Sequence, residues 1–266
     1  MPRARPSDAA VEQRRQEVLR RVIELGEVRI DDLTGAFGVS LMTMHRDLDD
    51  LAERRLLRKL RGKVEAYPAL TMETATRFRE GLNTALKESL AEVAIAEVRP
   101  GQTVFVDDST TLFPLMRRMA AISPLVVITN SMSAIKIFGP AEGIELIVIG
   151  GRYNAEFDSC IGPDALAALD RTRADLGFVS VTAVAGGRLY HPVQDYGELK
   201  RGALRMANRN VLVADHTKFG KTATYAHGDV SAYDLVITDG GTPADEVAAM
   251  RELGVTVEQV HGNGKD

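Results

Sequence analysis

From Thr103 onward, short apolar runs alternate with stretches of helical periodicity. The runs that have the length and composition of strands are Thr103–Val106, Leu125–Ile128, Glu145–Ile149, Leu176–Val181, Val211–Ala214, Leu235–Thr238 and Thr256–Val260. Between several of them lie predicted helices, at Leu112–Ala120, Ser131–Phe138, Asp164–Leu169 and Glu198–Ala207. Because parallel strands need crossover connections, this alternation predicts an α/β domain with a mostly parallel sheet covered on both faces.

Small polar residues follow several of these strands. In such sheets ligands bind beyond the carboxyl ends of the strands. Hydroxyls and free backbone amides at a helix N-terminus suit a phosphate group, although the same residues can simply cap the helix that follows. The residues that we predict to bind a ligand are Asp107, Asp108, Ser109, Thr110, Thr111, Thr129, Asn130, Ser131, Gly151 and Lys218.

The segment from Ser40 to Leu48 has the pattern of a DNA-recognition helix. Ser40 predicts an N-cap, and Leu41, Met44, Leu48 and Leu51 predict one buried stripe. Thr43, His45 and Arg46 then lie on the exposed side near the N-terminal end, which is the part of a recognition helix that meets base edges. The alternative is an ordinary capped amphipathic helix on the surface.

The flanking sequence favours a helix-turn-helix. A helix within residues 13–25 is followed by a short helix, Ile30–Phe37, and by a turn at Gly38. Downstream, the run from Arg54 to Val64 is rich in basic residues and has no acid, and Gly62 suits a hairpin tip. This run predicts a wing that contacts phosphates, or else a solvated surface. The predicted DNA-binding residues are Ser40, Met42, Thr43, His45, Arg46, Arg58, Lys59, Arg61 and Lys63.

The charge is unevenly distributed along the chain. Residues 1–65 carry 14 Lys and Arg against 12 Asp and Glu, whereas the remainder carries 19 against 25, within a net charge of −4. A basic module on an acidic body is typical of a specific DNA reader rather than of a non-specific nucleic-acid binder. The sequence has no apolar run of membrane-spanning length and no secretory signal, so we expect a cytoplasmic protein with no membrane association.

Cys160 is the single cysteine, which excludes an intrachain disulfide and favours a reducing compartment. No group of cysteines and histidines has metal-ligand spacing, and we expect neither a metal nor a cofactor.

Pro68 ends the predicted wing. We therefore predict a winged helix-turn-helix domain at residues 1–66, a linker helix at 67–84 and a ligand-sensing α/β domain at 85–266.

The residues just described resemble the DeoR family of bacterial transcriptional regulators. The match covers nearly the whole chain: Ser40, Thr43 and His45 to Leu48 reproduce the recognition-helix pattern, and the C-terminal landmarks occur in order at Asp107–Thr111, Thr129–Ser131, Gly150-Gly151, Gly162-Pro163, Lys200 and Asp215–Gly220. Many members have glycine at the third place of the first loop, where this chain has Ser109. The aspartate before it, Asp108, would repel a phosphate if it pointed inward.

The resemblance implies a sensor domain similar to ribose-5-phosphate isomerase and glucosamine-6-phosphate deaminase. It also implies a repressor of carbohydrate-metabolism genes, partnered by operator DNA and a phosphorylated sugar effector, and not an enzyme. Palindromic half-sites favour a homo-oligomer, a dimer or tetramer. Two alternatives remain: a working sugar-phosphate isomerase or deaminase, and a regulator whose vestigial pocket has given way to a partner protein.

Overall fold

Residues 8–25, 27–54, 56–66 and 76–260 are described in the computed structural model, and the chain divides into two units between Leu82 and Asn83. The sequence-based boundary at Tyr67-Pro68, and half of the predicted linker helix, fall outside the described residues. Of that linker, Thr76–Gly81 is helical and belongs to the first unit.

The first unit combines helices with a small antiparallel sheet. Its elements are α1 (Asp8–Leu25), β1 (Glu27–Arg29), α2 (Ile30–Phe37), α3 (Leu41–Glu53), β2 (Leu57–Leu60), β3 (Lys63–Ala66) and α4 (Thr76–Gly81). The strand order is β1-β3-β2. Gly62 lies at the tip of the β2–β3 hairpin with φ 73°, a conformation that glycine adopts without strain.

The apolar faces of α1, α2 and α3 and of the β2–β3 hairpin meet in one core. Its buried members include Val18 and Leu19 of α1, Leu33 of α2, Met44, Leu48 and Leu51 of α3, and Leu57 and Val64 of the hairpin. The winged helix-turn-helix prediction is confirmed. One part of the predicted buried stripe is wrong: Leu41 is 48% exposed, because the first turn of α3 extends beyond the core.

The second unit is built on a seven-stranded sheet in which every neighbouring pair is parallel. Its strands are β4 (Thr103–Val106), β5 (Leu125–Thr129), β6 (Ile144–Val148), β9 (Ala174–Val179), β12 (Ala207–Val213), β14 (Leu235–Asp239) and β15 (Thr256–Val260). The helices are α5 (Thr84–Ala94), α6 (Phe113–Met119), α7 (Ser133–Phe138), α8 (Pro163–Asp170), α9 (Gln194–Met206) and α10 (Ala244–Glu252).

Successive residues of the central strands point to opposite faces of this sheet, and each face has its own core. Phe105 and Leu212 pack on one side with α8, α9 and α10. Val104 and Phe178 pack on the other side with α5, α6 and α7. The prediction of a parallel sheet covered on both faces is therefore confirmed.

The spatial order of the strands is β15-β14-β12-β9-β4-β5-β6. The chain therefore runs outward from β4 through β5 to β6, returns to β9 beside β4, and then runs outward in the other direction. The point where the strand order reverses lies between β4 and β9. At such a switch point the connections leave in opposite directions and open a crevice beyond the carboxyl ends of the strands.

Two smaller sheets were not predicted. One is the hairpin of β7 (Arg152–Asn154) and β8 (Ser159–Ile161), and the other is an antiparallel sheet of β10 (Ala183–Ala185), β11 (Arg188–His191) and β13 (Tyr225–Asp229). Among the described residues, no helix combines the length and apolarity that crossing a membrane would require.

Candidate functional site

α3 is held by a cap at its N-terminus and by a buried carboxylate in its middle. Ser40 Oγ accepts a hydrogen bond from the amide of Thr43 at 3.2 Å, as the sequence predicted. Asp47 is buried in the middle of the helix and accepts hydrogen bonds from Arg14 Nε at 2.7 Å and Arg15 Nε at 3.1 Å. These contacts join α3 to α1 and set the direction in which the exposed side of α3 faces.

That exposed side carries the side chains expected to read DNA. Met42 and Arg46 are exposed one turn apart, and no partner of Arg46 is found among the described residues. His45 is half-buried, and its Nδ1 lies 3.2 Å from Lys59 Nζ. Thr43 is half-buried and its hydroxyl contacts that of Ser40. Met42 and Arg46 are therefore the side chains of this group most available to a groove.

The basic side chains of the hairpin, in contrast, are mostly paired with carboxylates. Arg58 pairs with Glu65 at 3.0 Å, Lys59 with Asp49 at 2.5 Å and Lys63 with Glu27 at 2.6 Å. Arg61, at the exposed tip, has no such partner in the described part of the chain. The sequence showed a run of cations, but the carboxylates that pair with them come from other elements.

In the second unit, the loop that follows β4 lies at the switch point. Asp107, Asp108, Ser109, Thr110 and Thr111 are all buried there. The carboxylate of Asp107 bridges β4 and β9, because it accepts hydrogen bonds from the amide of Ser109 at 2.9 Å and from the amide of Ser180 at 3.1 Å. Ser109 begins a 3-10 turn, Thr110–Leu112, but its side chain does not cap that turn. The capping alternative therefore does not account for its hydroxyl.

Two buried lysines approach this loop from the two sides of the sheet. Lys200 Nζ of α9 lies 2.5 Å from Asp107 Oδ2, and Lys87 Nζ of α5 donates to Thr110 Oγ1 at 3.2 Å. Neither lysine was among the residues predicted to bind a ligand, although Lys200 is one of the landmarks shared with the DeoR family. Each nevertheless occupies a position in an apolar stripe, with Leu90, Ala91 and Ala94 for Lys87 and with Tyr196, Leu199 and Ala203 for Lys200. A lysine in a buried stripe was the feature that could have identified them.

Asp108 points into the unit and is held by neighbouring polar groups. Its carboxylate accepts hydrogen bonds from Asn130 Nδ2 at 3.3 Å and from Ser159 Oγ at 3.0 Å. Ser159 Oγ also lies 2.8 Å from the hydroxyl of Tyr196. Ser159 belongs to the β7–β8 hairpin, so the hairpin completes the polar surroundings of the loop.

Several buried polar atoms around the loop have no hydrogen-bond partner within the described residues. They come from the ends of β5, β9 and β12, and they are Asn130 Oδ1, Ser131 Oγ, Ser180 Oγ and Asp215 Oδ2. Most buried polar atoms in proteins are hydrogen-bonded, because an unmade bond costs about 1–3 kcal/mol. Atoms of this kind, grouped at strand ends, are suited to a polar ligand.

Two further buried groups lie behind this cluster. Both ring nitrogens of His227 are without partners among the described residues, and burial, with the nearby charges of Lys200 and Arg201, lowers the pKa of His227 to about 4. Burial, with the charge of Asp107, raises the pKa of Tyr233 well above its usual range. Both side chains are therefore neutral at physiological pH and do not offset the lysine charges.

The other predicted ligand residues occupy different surroundings. Thr129 is buried, and its hydroxyl accepts a hydrogen bond from the amide of Ser131. Gly151 lies against β8 and α8, where an added Cβ would approach Ile161 O to 2.7 Å. Lys218 is half-buried and ends a 3-10 turn, His216–Lys218. The lysine that contacts Asp107 is Lys200 rather than the predicted Lys218.

A surface groove of about 500 Å³ lies at the opposite end of the sheet, where Gly101, Pro124, Leu125 and Ile144 mark the amino ends of the strands. It contains none of the predicted residues, and its one charged lining group is Glu145. The switch-point cluster, with its charges and unpartnered polar atoms, is the better candidate.

Comparisons with known proteins cover both units. Residues 14–67 match the DeoR-like helix-turn-helix domain, and residues 82–240 match the DeoR C terminal sensor domain. A relative described as the aga operon transcriptional repressor, from Escherichia coli O157:H7, is 30% identical over 249 residues, covering 92% of each chain. The glycerol-3-phosphate regulon repressor of Escherichia coli K12 is 28% identical, covering 92% of this chain and 98% of its own.

Among solved structures, ribose 5-phosphate isomerase A from Methanocaldococcus jannaschii aligns with 52% of this chain and 55% of its own, at 18% identity and a TM-score of 0.38. The two family matches, together with the recognition helix and the parallel-sheet sensor unit, show that this chain belongs to the DeoR family of transcriptional regulators.

Proposed function

We propose that this protein is a repressor of carbohydrate-metabolism genes, and that a phosphorylated sugar bound at the switch point of the second unit changes its affinity for operator DNA. The observation that carries the proposal is the grouping of unpartnered polar atoms from three strand ends around one buried loop, with two lysines beside it. The names of the two repressors similar to this chain support the regulatory part.

The cluster offers different chemistry at its two ends. Near Ser109 and Thr110, hydroxyls and two ammonium groups favour a phosphate, which takes charge-assisted hydrogen bonds. Near Asn130, at the end of β5, a free acceptor atom favours the hydroxyls of a sugar. Asp108 lies on this second side, beside Asn130. Its charge therefore faces groups that donate hydrogen bonds rather than the phosphate.

For the DNA-binding unit, we propose that the N-terminal half of α3 enters the major groove and that the hairpin lies along the phosphates. Operators of helix-turn-helix proteins are commonly palindromic, and we infer a homo-oligomer that binds two half-sites. We also infer that the protein works in the cytoplasm, where the bacterial chromosome lies.

The test is operator binding by the full-length protein, using a duplex that the protein itself selects from a randomised pool. A panel of phosphorylated sugars is titrated into the complex, with the same sugars lacking phosphate as controls. One phosphorylated member should change the operator affinity, and its unphosphorylated form should not. Because coupling between two sites is reciprocal, the operator should change the affinity for that sugar by the same factor.

Thr110→Ala should keep the operator affinity of the wild type and lose the response to the sugar, because the hydroxyl beside Lys87 is removed. Thr224→Ala, at an exposed threonine of the same unit, is the matched control and should respond like the wild type. An unaltered response in Thr110→Ala would place the effector elsewhere. Conversion of the sugar phosphate to a product would instead favour an enzyme, and a panel without any effect would favour a partner protein.

A further inference from the structure

The surface of α3 is divided along its length by charge. The first half exposes Leu41, Met42 and Arg46, while the second half carries Asp49, Asp50 and Glu53. Phosphates that flank a groove repel the acidic half, and the positive end of the helix dipole adds to the attraction of the first half. If α3 enters a groove of DNA, it must therefore do so with its first two turns.

Those first two turns expose apolar side chains that the core does not need. Met42 is 67% exposed and Leu41 is 48% exposed, whereas Met44, Leu48 and Leu51 already fill the core side of the helix. Polar residues such as lysine and glutamate have similar helix propensity and would suit a solvated surface better. Met42 is also a neighbour of Arg46, which follows it by one turn.

We propose that Leu41 and Met42 contact the C5-methyl groups of thymines in the operator, and that the thymine of Met42 lies beside the base contacted by Arg46. The inference rests on the proposed function, because it requires α3 to lie in the major groove. The thymine methyl is the apolar group that a base pair presents in that groove, so it is the natural partner of an apolar side chain there. Unbranched Met42 can follow a methyl whose position varies slightly between half-sites.

The experiment removes methyl groups from the DNA rather than from the protein. In the selected duplex, each thymine of a half-site is replaced in turn by deoxyuridine, which differs only by that methyl. At one or two positions, wild-type affinity should fall by about fourfold, the effect expected when one buried methyl is lost. At the other positions it should not change. Uniform insensitivity to deoxyuridine would overturn the proposal.

Leu41→Ala and Met42→Ala should each bind the thymine and deoxyuridine duplexes equally well at the position that the side chain reads. Ile135→Ala, at a similarly exposed apolar residue of the second unit, should keep the wild-type discrimination. Discrimination that survives in both α3 variants would also overturn the proposal. Arg46→Ala separates the two levels: if it leaves the affinity unchanged, the groove placement itself is wrong. If Arg46→Ala weakens binding while deoxyuridine replacement leaves the wild-type affinity unchanged, only the proposed methyl contact is wrong.

Discussion

At the scale of single residues, Gly150 and Gly151 show how neighbours can face opposite constraints. An added Cβ at Gly150 would meet nothing within 4 Å. At Gly151, φ is 132° and the added Cβ would lie 2.7 Å from Ile161 O and 3.3 Å from Ala165 Cβ. The second glycine is thus required both by its backbone conformation and by the close approach of β8 and α8.

Gly151→Ala should therefore lower the free energy of unfolding of the second unit by about 2 kcal/mol or more, through strain and a backbone clash. Gly150→Ala is the matched control and should stay within about 0.5 kcal/mol of the wild type. Denaturant melts followed by circular dichroism measure both. Equal effects of the two substitutions would contradict the assignment.

His227 gives the second unit a dependence on pH. Its pKa is about 4 in the folded protein, against an ordinary value of 6.5. Between these values the unfolded chain binds a proton that the folded protein does not, so stability should fall as the pH drops from 6.5 to 4, by roughly 3 kcal/mol in total. In His227→Gln, which cannot titrate, denaturant melts across this range should lose that slope. A slope that persists in the variant would assign it to other groups.

At the scale of elements, the direction of α3 depends on one buried carboxylate. Asp47 is 2% exposed, and it faces the guanidinium groups of Arg14 and Arg15, which are themselves mostly covered. Removing one partner of such a pair leaves the other charges uncompensated.

Asp47→Asn keeps the shape of the side chain but removes its charge, and it should destabilise the first unit by about 3 kcal/mol. Asp49→Asn, at a position that is 65% exposed, should cost less than about 1 kcal/mol. Thermal melts of the full-length protein test the pair. A small effect at Asp47 would show that solvent screens its charge.

A second prediction at this scale concerns the basic side chains of the β2–β3 hairpin. Exposed ion pairs contribute about 0–1 kcal/mol each to stability, so Arg58, Lys59 and Lys63 can exchange their carboxylate partners for DNA phosphates. Because each must first leave its carboxylate, it gains less binding free energy than an unpaired cation does. Arg61→Ala should flatten the plot of log affinity against log salt by about 0.9. Arg58→Ala should flatten it less, and Glu65→Gln should steepen it. Equal effects of the two arginine substitutions would show that the Arg58–Glu65 pair does not persist on DNA.

At the scale of the whole molecule, the sequence predicted the architecture well because its main elements are long or strongly periodic. The central strands β4, β5 and β14 carry nearly continuous apolar runs, since both of their faces are buried, whereas the edge strands β6 and β15 are partly exposed. The strands of the β7–β8 hairpin and of the β10-β11-β13 sheet are only three to five residues long, and β13 pairs with β11 from a distant part of the chain. Local pattern therefore could not reveal them.

The candidate site was predicted only in part, for the same reason. The loop after β4 could be located from its strand, but Ser159, Lys200 and Lys87 reach it from distant elements. The contacts expected of Lys218 were argued from chain position alone. Similarly, the carboxylates that pair with the cations of the hairpin, such as Glu27 and Asp49, lie on other elements.

The burial of the loop from Asp107 to Thr111 has a consequence for timing. An effector that binds there cannot enter a closed unit, so each binding event waits for an opening of the protein. The observed rate of binding should then level off at the opening rate as the effector concentration rises, instead of increasing without limit. Release would wait for the same opening, and a gene under this control would respond to sustained supply of its sugar rather than to brief fluctuations.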